Sequence, residues 1–385
     1  MPAFFSLAAL LSSVFLLVCG NALVAVVAPV RASLDGFGDL EVGLLGSAYF
    51  VGMLLGALQT PALVRRVGHI RAFAAFVAVG GVAIDLLPSF EFPVAWLISR
   101  ALVGFVLAGV YAIIESWING FASNANRGAL YAIYQIVNFG ASSTGQLLMS
   151  GLDPTTLLPF TVGSAFYALS IVPLALTKAD APELPSVVRV NFASIRKLAP
   201  VSLAGSFIAG ACNATSLSLA PVYALQIGVA PSKVPLFTSA IVIGSALGVY
   251  PVGRLSDRVD RRLIMAVMMA AGAAMEVALA VAQPQGLPLV VYGFLVGLTT
   301  FTLYTLAASI ANDGAAPHEM VLISAGLLFV YCIAGIVSPT IASVAMRSYG
   351  PSALYWQNGA CHAALAVFAG VAFHRAFAGL RYRRP

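Results

Sequence analysis

Charged side chains are scarce in this chain of 385 residues, where Asp, Glu, Lys and Arg together make up 9% and hydrophobic types 60%. Soluble globular proteins carry about a quarter of their residues as charged side chains. The mean hydropathy of +0.96 points the same way. A water-soluble domain of this length could not cover its surface with so few charges. The composition therefore predicts a protein that is solvated largely by lipid.

Reactive groups in a catalytic or metal-binding arrangement are also lacking. No two cysteines form a CxxC pair or a cluster with histidine, and each lies in an apolar stretch, as small packing residues do. These cysteines are Cys19, Cys212, Cys332 and Cys361. The sequence contains no Walker loop, HExxH helix or GxSxG turn. It therefore predicts no metal, no cofactor and no enzymatic activity.

Twelve apolar stretches are long enough to cross a membrane, which takes about 20 residues. They are 4–30, 41–63, 69–88, 93–118, 127–150, 156–177, 197–225, 234–255, 261–282, 288–312, 319–346 and 351–375. A polar stretch separates the sixth from the seventh. We therefore predict an all-α polytopic membrane protein with a bundle in 1–177, a linker in 178–196, a second bundle in 197–375 and a basic tail in 376–385.

The basic residues predict the orientation of these spans. If the N-terminus is cytoplasmic, all but four of the 20 Lys and Arg residues fall on the cytoplasmic side. The exceptions are Arg31, Arg100, Lys233 and Arg347. This bias predicts an inner-membrane protein with both termini, the linker and the tail in the cytoplasm. It also attributes the net charge of +6 to topology and anionic lipid, and not to nucleic acid.

The two halves of the chain repeat. A shift of 192 residues brings Asn21 onto Asn213 and Gly52 onto Gly244, and a shift of one residue more brings Tyr111 onto Tyr304. Six spans per half is an even number, so both copies cross in the same direction, as parallel repeats about an axis along the membrane normal. This arrangement predicts a path between two bundles that rock against each other.

The turn between the eighth and ninth spans, GRLSDRVDRR at 253–262, resembles the signature loop of the major facilitator superfamily, a GxLxDRxGRR pattern. Asp260 replaces the usual second glycine, and the first-half copy at 61–71 has Arg65 in place of the aspartate. The resemblance implies a cytoplasmic gate in which Asp257 reaches the start of the fifth span, near Arg127. The gating residues would be Asp257, Arg258, Arg261, Arg262, Glu115 and Arg127. The alternative is that the arginines only anchor the topology.

The tripeptide Glu115-Ser116-Trp117, with the stretches 66–73 and 250–258, is similar to the YcaD-like branch of this superfamily. The resemblance extends over nearly the whole chain. It implies about twelve helices in two pseudo-symmetric six-helix bundles and the activity of an inner-membrane permease. It does not imply a substrate.

One face of the fourth span carries polar residues. Positions 100, 104, 108, 111 and 115 share this face, and the first three also follow the RxxxGxxxA spacing of a family motif. Arg100 inside a membrane helix is costly, which favours a cavity, although it could also extend to the outer interface. Glu115 could pair with Arg127 or titrate as a proton site.

The fifth span carries a second polar stripe. Its members are Tyr131, Gln135, Asn138, Ser142 and Gln146. Such a stripe either lines water and substrate or bonds to neighbouring helices. We predict a substrate cavity that contains Arg100, Tyr111, Asn21, Gln135, Asn138 and Asn213.

These features together predict a secondary active transporter that moves a small organic solute by alternating access, with proton-coupled efflux as one open mode. The uncompensated Arg100 favours an anion or a zwitterion as the solute. Expected partners are this solute, membrane lipid and protons, and the protein is expected to be a monomer. A flippase-like, lipid-handling protein is the alternative function.

Overall fold

A computed structural model describes residues 2–122, 126–176, 200–313, 315 and 320–381, and these ranges contain helices and no β-strand. The α-helices, in chain order, are α1 (Pro2–Leu34), α2 (Asp39–Val67), α3 (His69–Leu86), α4 (Pro93–Phe121), α5 (Arg127–Leu148), α6 (Leu158–Ala175), α7 (Pro200–Gln226), α8 (Val234–Ser256), α9 (Arg261–Ala282), α10 (Leu287–Thr300), α11 (Leu303–Asn312), α12 (Met320–Tyr349) and α13 (Ala353–Arg381). Helices occupy all twelve stretches predicted to cross the membrane. The prediction of an all-α polytopic fold is confirmed. The predicted linker 178–196 lies outside the described residues.

Ten of the twelve spans in the described residues are long and apolar enough, by themselves, to be recognised as membrane helices. The other two are α5 and α13. Helix α5 carries the polar stripe, and α13 contains Gln357, Asn358 and His362 within its length. Since unpaired polar groups are costly in lipid, the polar side chains of both helices must contact other helices or water.

The tenth predicted span is broken into α10 and α11. The hydroxyls of Thr299 and Thr300 each donate to a carbonyl oxygen four residues earlier, of Leu295 and Val296, at 2.8 Å. Threonine hydroxyls that bond back to the preceding turn often bend a helix. The first-half equivalent α4 has no such threonine cluster and is continuous, so the repeat predicted an unbroken span and did not foresee this turn.

The chain divides into two units of mutual contact. One combines Met1–Val187 with Leu217–Ser239, and the other combines Val188–Ser216 with Ala240–Pro385. The first unit thus takes in the last part of α7 and the start of α8, which the sequence assigned to the second bundle.

Within the first unit, α2 and α4 approach backbone to backbone. A methyl group at Gly52 would collide with the carbonyl oxygen of Ala101, and one at Gly104 would collide with that of Tyr49. Only residues without a side chain allow two membrane helices to pack this closely. This contact fixes the position of the polar face of α4.

The second unit repeats the same contact at equivalent positions. A methyl group at Gly244 would collide with the carbonyl oxygen of Phe294, and one at Gly297 with that of Ile241. Gly244 and Ile241 follow Gly52 and Tyr49 by 192 residues, and Phe294 follows Ala101 by 193. The sequence repeat therefore corresponds to a repeat of helix packing.

Asp260, which departs from the signature pattern, caps α9. Its carboxylate accepts a hydrogen bond of 2.8 Å from the backbone amide of Arg262. Loss of such a cap costs about 1 kcal/mol. We therefore expect Asp260→Ala to lower the free energy of unfolding by about this amount and Asp260→Asn to preserve it, as measured by thermal unfolding in detergent. An equal loss in both variants would show that the charge matters and the cap does not.

Candidate functional site

Arg100 lies inside the first unit and not at its surface. Its side chain is 6% exposed, and the guanidinium carbon lies 4.8 Å from the centre of the Tyr49 ring. The guanidinium nitrogen Nη1 is buried and has no hydrogen-bond partner among the described residues. Arg100 therefore packs against an aromatic ring of α2 and does not extend to the end of its helix.

Tyr167 connects Arg100 with Asn21. It is fully buried and close enough to Arg100 for an electrostatic interaction. Its hydroxyl donates to the Asn21 side-chain oxygen at 3.3 Å. Two predicted cavity residues from α1 and α4 thus meet through a tyrosine of α6. The sequence reasoning missed both Tyr49 and Tyr167, which carry no periodic signal of their own.

The polar faces of α4 and α5 face each other. The Tyr131 hydroxyl donates to Asn119 at 3.1 Å, and the Asn138 amide donates to the Tyr111 hydroxyl at 3.3 Å. These two bonds set an antiparallel register that places position 115 of α4 level with position 135 of α5. We call this arrangement the α4–α5 seam, formed by Tyr111, Glu115, Asn119, Tyr131, Gln135 and Asn138.

Helix α5 exposes two faces of different character. Gln135 is exposed on the polar stripe, whereas Ile133 and Ile136 are exposed on roughly the opposite side of the helix. Between these faces, Gly145 packs against the backbone of Cys19 in α1. An exposed apolar face suits lipid, and the exposed Gln135 amide on the other side suits water.

An acid and a base near the seam, which the sequence offered as a pair, are not joined in the part of the chain that the structure describes. Glu115 and Arg127 are both exposed, and no salt bridge joins either to a described residue. Close to them, His69 at the start of α3 forms a hydrogen bond of 3.1 Å with Ser116. The predicted pair of Glu115 with Arg127 is therefore not formed in this structure.

Asn213, the second-half equivalent of Asn21, is buried at 7% exposure in the other unit. It interacts with the side chain of Tyr331, whose ring contacts that of Tyr304 at 5.3 Å between centroids. Tyr304 and Tyr331 follow Tyr111 and Asn138 by 193 residues. The hydrogen-bonded pair of the first unit is thus replaced by an aromatic pair in the second.

Helix α13 contributes two buried polar residues that the sequence reasoning missed. Asn358 is fully buried, accepts a hydrogen bond of 2.9 Å from Thr215 and donates one of 3.2 Å to Ser216. His362 is joined to Glu276 of α9 at 2.7 Å, with both side chains 1% exposed. The four-residue spacing of Asn358 and His362 inside an apolar stretch was a signal that could have found them.

The signature turn of the second unit is held by Arg261. This residue pairs with Asp257 at 3.0 Å, with Asp313 and with the carbonyl oxygen of Ser309 at 3.1 Å. It therefore links the α8–α9 turn to the end of α11. The predicted gating residue Arg258 is exposed.

The fold and the site define a class of protein, namely a multi-pass α-helical membrane protein built from a packing repeat, with polar faces inside the bundle. The family model of the Major Facilitator Superfamily matches residues 10–339 and 202–381. The chain belongs to this superfamily, whose members are membrane transporters.

Two uncharacterised relatives and one solved structure are similar to this chain. The chain is 27% identical to an MFS-type transporter of Enterobacter sp. (strain 638) and 27% identical to the MFS-type transporter YcaD of Escherichia coli O6:K15:H31. Each match covers 90% of both chains, and the resemblance to the YcaD-like branch is confirmed. The crystal structure of a mutant of the nucleoside transporter NupG superposes with a TM-score of 0.81 at 12% identity, over 95% of this chain and 99% of that one. At this identity the match shows the fold alone.

Proposed function

We propose that this transporter is a secondary active permease that moves a small organic solute across the inner membrane by alternating access, with both termini in the cytoplasm. The observation that carries the proposal is the α4–α5 seam. Glu115, Asn119 and Gln135 of the seam are exposed, and its other members are half-buried. A polar surface there is costly against lipid and favourable along an aqueous path.

The solute class proposed for this path is an organic anion or a zwitterion. Arg100 is buried, it cannot lose its charge, and its Nη1 is unsatisfied among the described residues. An unsatisfied buried donor is costly, and a carboxylate or phosphate oxygen would satisfy it. Asn21, Tyr111, Gln135 and Asn138 are proposed to line the solute path in the first unit, and Asn213 is proposed to line it in the second.

The proposed gating residues are Asp257, Arg258, Arg261 and Arg262 with Glu115 and Arg127. The Arg261 bonds to Asp257 and Asp313 support this role, because they tie the signature turn to the end of α11. Proton-coupled efflux and a monomeric state remain part of the proposal. No nucleic-acid partner and no catalytic reaction are proposed.

A thermal-shift screen of the detergent-purified protein tests the solute class. A ligand that binds the folded state alone raises its apparent stability. We expect one class of anions or zwitterions to raise the unfolding temperature of the wild type and not that of Arg100→Ala. Arg71→Ala, an exposed arginine on α3, serves as the matched control and should respond as the wild type does.

The same screen can contradict the proposal. Equal shifts in wild type and Arg100→Ala would remove Arg100 from the binding site. Shifts with phospholipids and none with soluble compounds would instead favour a flippase-like, lipid-handling protein.

A further inference from the structure

Glu115 is an acid at the centre of the α4–α5 seam. The seam's register places it level with Gln135, and both residues are exposed. Neither a hydrogen bond nor a salt bridge joins Glu115 to any residue in the described ranges. A carboxylate on a membrane helix that has no protein partner is a candidate site for a ligand.

Three tyrosines lie near this carboxylate. Tyr111 of α4 and Tyr131 and Tyr134 of α5 all lie close enough to Glu115 for an electrostatic interaction. The rings of Tyr131 and Tyr134 meet edge to face, with centroids 6.4 Å apart and an interplanar angle of 89°. The hydrogen bonds from Tyr131 to Asn119 and from Asn138 to Tyr111 hold two of these rings in place.

This combination has a chemical preference. A carboxylate attracts a cation through its charge, and the faces of neighbouring aromatic rings attract an organic ammonium through their quadrupoles. A hard metal ion such as Ca²⁺ takes six to eight oxygen ligands, and a single carboxylate supplies too few. The seam therefore fits an ammonium group with apolar substituents better than a bare metal ion.

We propose that Glu115, with the rings of Tyr111 and Tyr131, forms a subsite for an organic ammonium group. This inference rests on the proposed function, because it takes the seam to be part of the solute path. Arg100 and Glu115 share one face of α4 but lie 15 residues apart, which is about 22 Å along a helix. One small solute cannot touch both residues, so the ammonium subsite is separate from the anion site at Arg100.

Calorimetric titration of the full-length protein in lipid nanodiscs tests the subsite. The probes are benzyltrimethylammonium and its uncharged isostere neopentylbenzene. We expect the ammonium to bind the wild type, and the isostere to bind at least about tenfold more weakly. Glu115→Gln should weaken ammonium binding about tenfold or more, as the loss of a charge contact does.

Two variants of Tyr131 distinguish the contribution of its ring to ammonium affinity from that of its hydroxyl. Tyr131→Phe keeps the ring and should retain most of the affinity for benzyltrimethylammonium, whereas Tyr131→Leu should weaken it severalfold. Asp85→Asn is the matched control, because Asp85 is an exposed acid on α3 that bonds to Ser164 outside the seam. Its affinity for the ammonium should equal that of the wild type.

Several outcomes would overturn the subsite. The first is that benzyltrimethylammonium does not bind the wild type. The second is that it binds Glu115→Gln as tightly as the wild type. The third is that neopentylbenzene binds the wild type as tightly as the ammonium does. A parallel titration with benzoate distinguishes this failure from failure of the proposed function. If benzoate binds and Arg100→Ala abolishes its binding while the ammonium shows no dependence on Glu115, the anion permease stands and the ammonium subsite is wrong.

Discussion

His362→Leu is expected to destabilise the protein by about 3 to 5 kcal/mol. A loss of this size is typical when one partner of a buried acid–base pair is removed, because the other polar group is left without its partner. Glu276 and His362 are each 1% exposed and lie 2.7 Å apart between α9 and α13. The measurement is chemical or thermal unfolding of the purified protein in a defined detergent.

The double variant Glu276→Leu/His362→Leu is the decisive control. Replacing a buried pair by apolar residues of similar volume is often close to neutral, so the double variant should recover most of the lost stability. If it is as unstable as the single variant, lost packing and not the unpaired carboxyl is the cause. Asp85→Ala, at an exposed acid, should change stability by less than about 0.5 kcal/mol.

Gly52→Ala should be the most damaging glycine-to-alanine substitution in the first unit. The added methyl group would meet the backbone carbonyl of Ala101 on α4, and backbone atoms cannot rotate away as a flexible side chain can. Overpacking of a well-packed site costs about 1 to 3 kcal/mol, and a backbone collision belongs at or above the upper end of that range. We expect a lower unfolding temperature and a lower yield of monodisperse protein.

The repeat gives this prediction an internal test. Gly244→Ala should cause a similar loss, because its methyl group would meet the carbonyl of Phe294 at the equivalent place in the second unit. Gly140→Ala on α5 meets no atom within 4 Å and should leave stability unchanged or raise it slightly through helix propensity. If Gly52→Ala behaves as Gly140→Ala does, the close approach of α2 and α4 is wrong.

Part of the candidate site could be predicted because helical periodicity is a local property. The spacing of Arg100, Tyr111 and Glu115 placed them on one face of α4, and the stripe on α5 followed from the same rule. That the two faces meet was not predictable, because periodicity gives a face but not its neighbour. The structure supplied the register through the bonds Tyr131–Asn119 and Asn138–Tyr111.

The partners of the isolated charges were out of reach for a similar reason. Glu276 and His362 are 86 residues apart, and no spacing rule connects positions at that distance. Arg100 was expected to face either a cavity or the outer interface, and the ring of Tyr49 beneath it was not foreseen. The break between α10 and α11 was missed because hydropathy averages over the threonines that bend the helix.

The sequence by itself determined that lipid solvates much of the protein, how many helices span the membrane and that the two halves of the chain repeat. Charge content and runs of apolar residues are sums over the chain, and lipid responds to those sums whatever the helix contacts are. Only the tertiary structure decided which helices touch and which polar groups find partners among the described residues, where the Arg100 Nη1 has none. Such contacts join residues that are far apart in the chain. Many alternative contacts have a similar local sequence pattern, so the pattern alone does not select the one that forms.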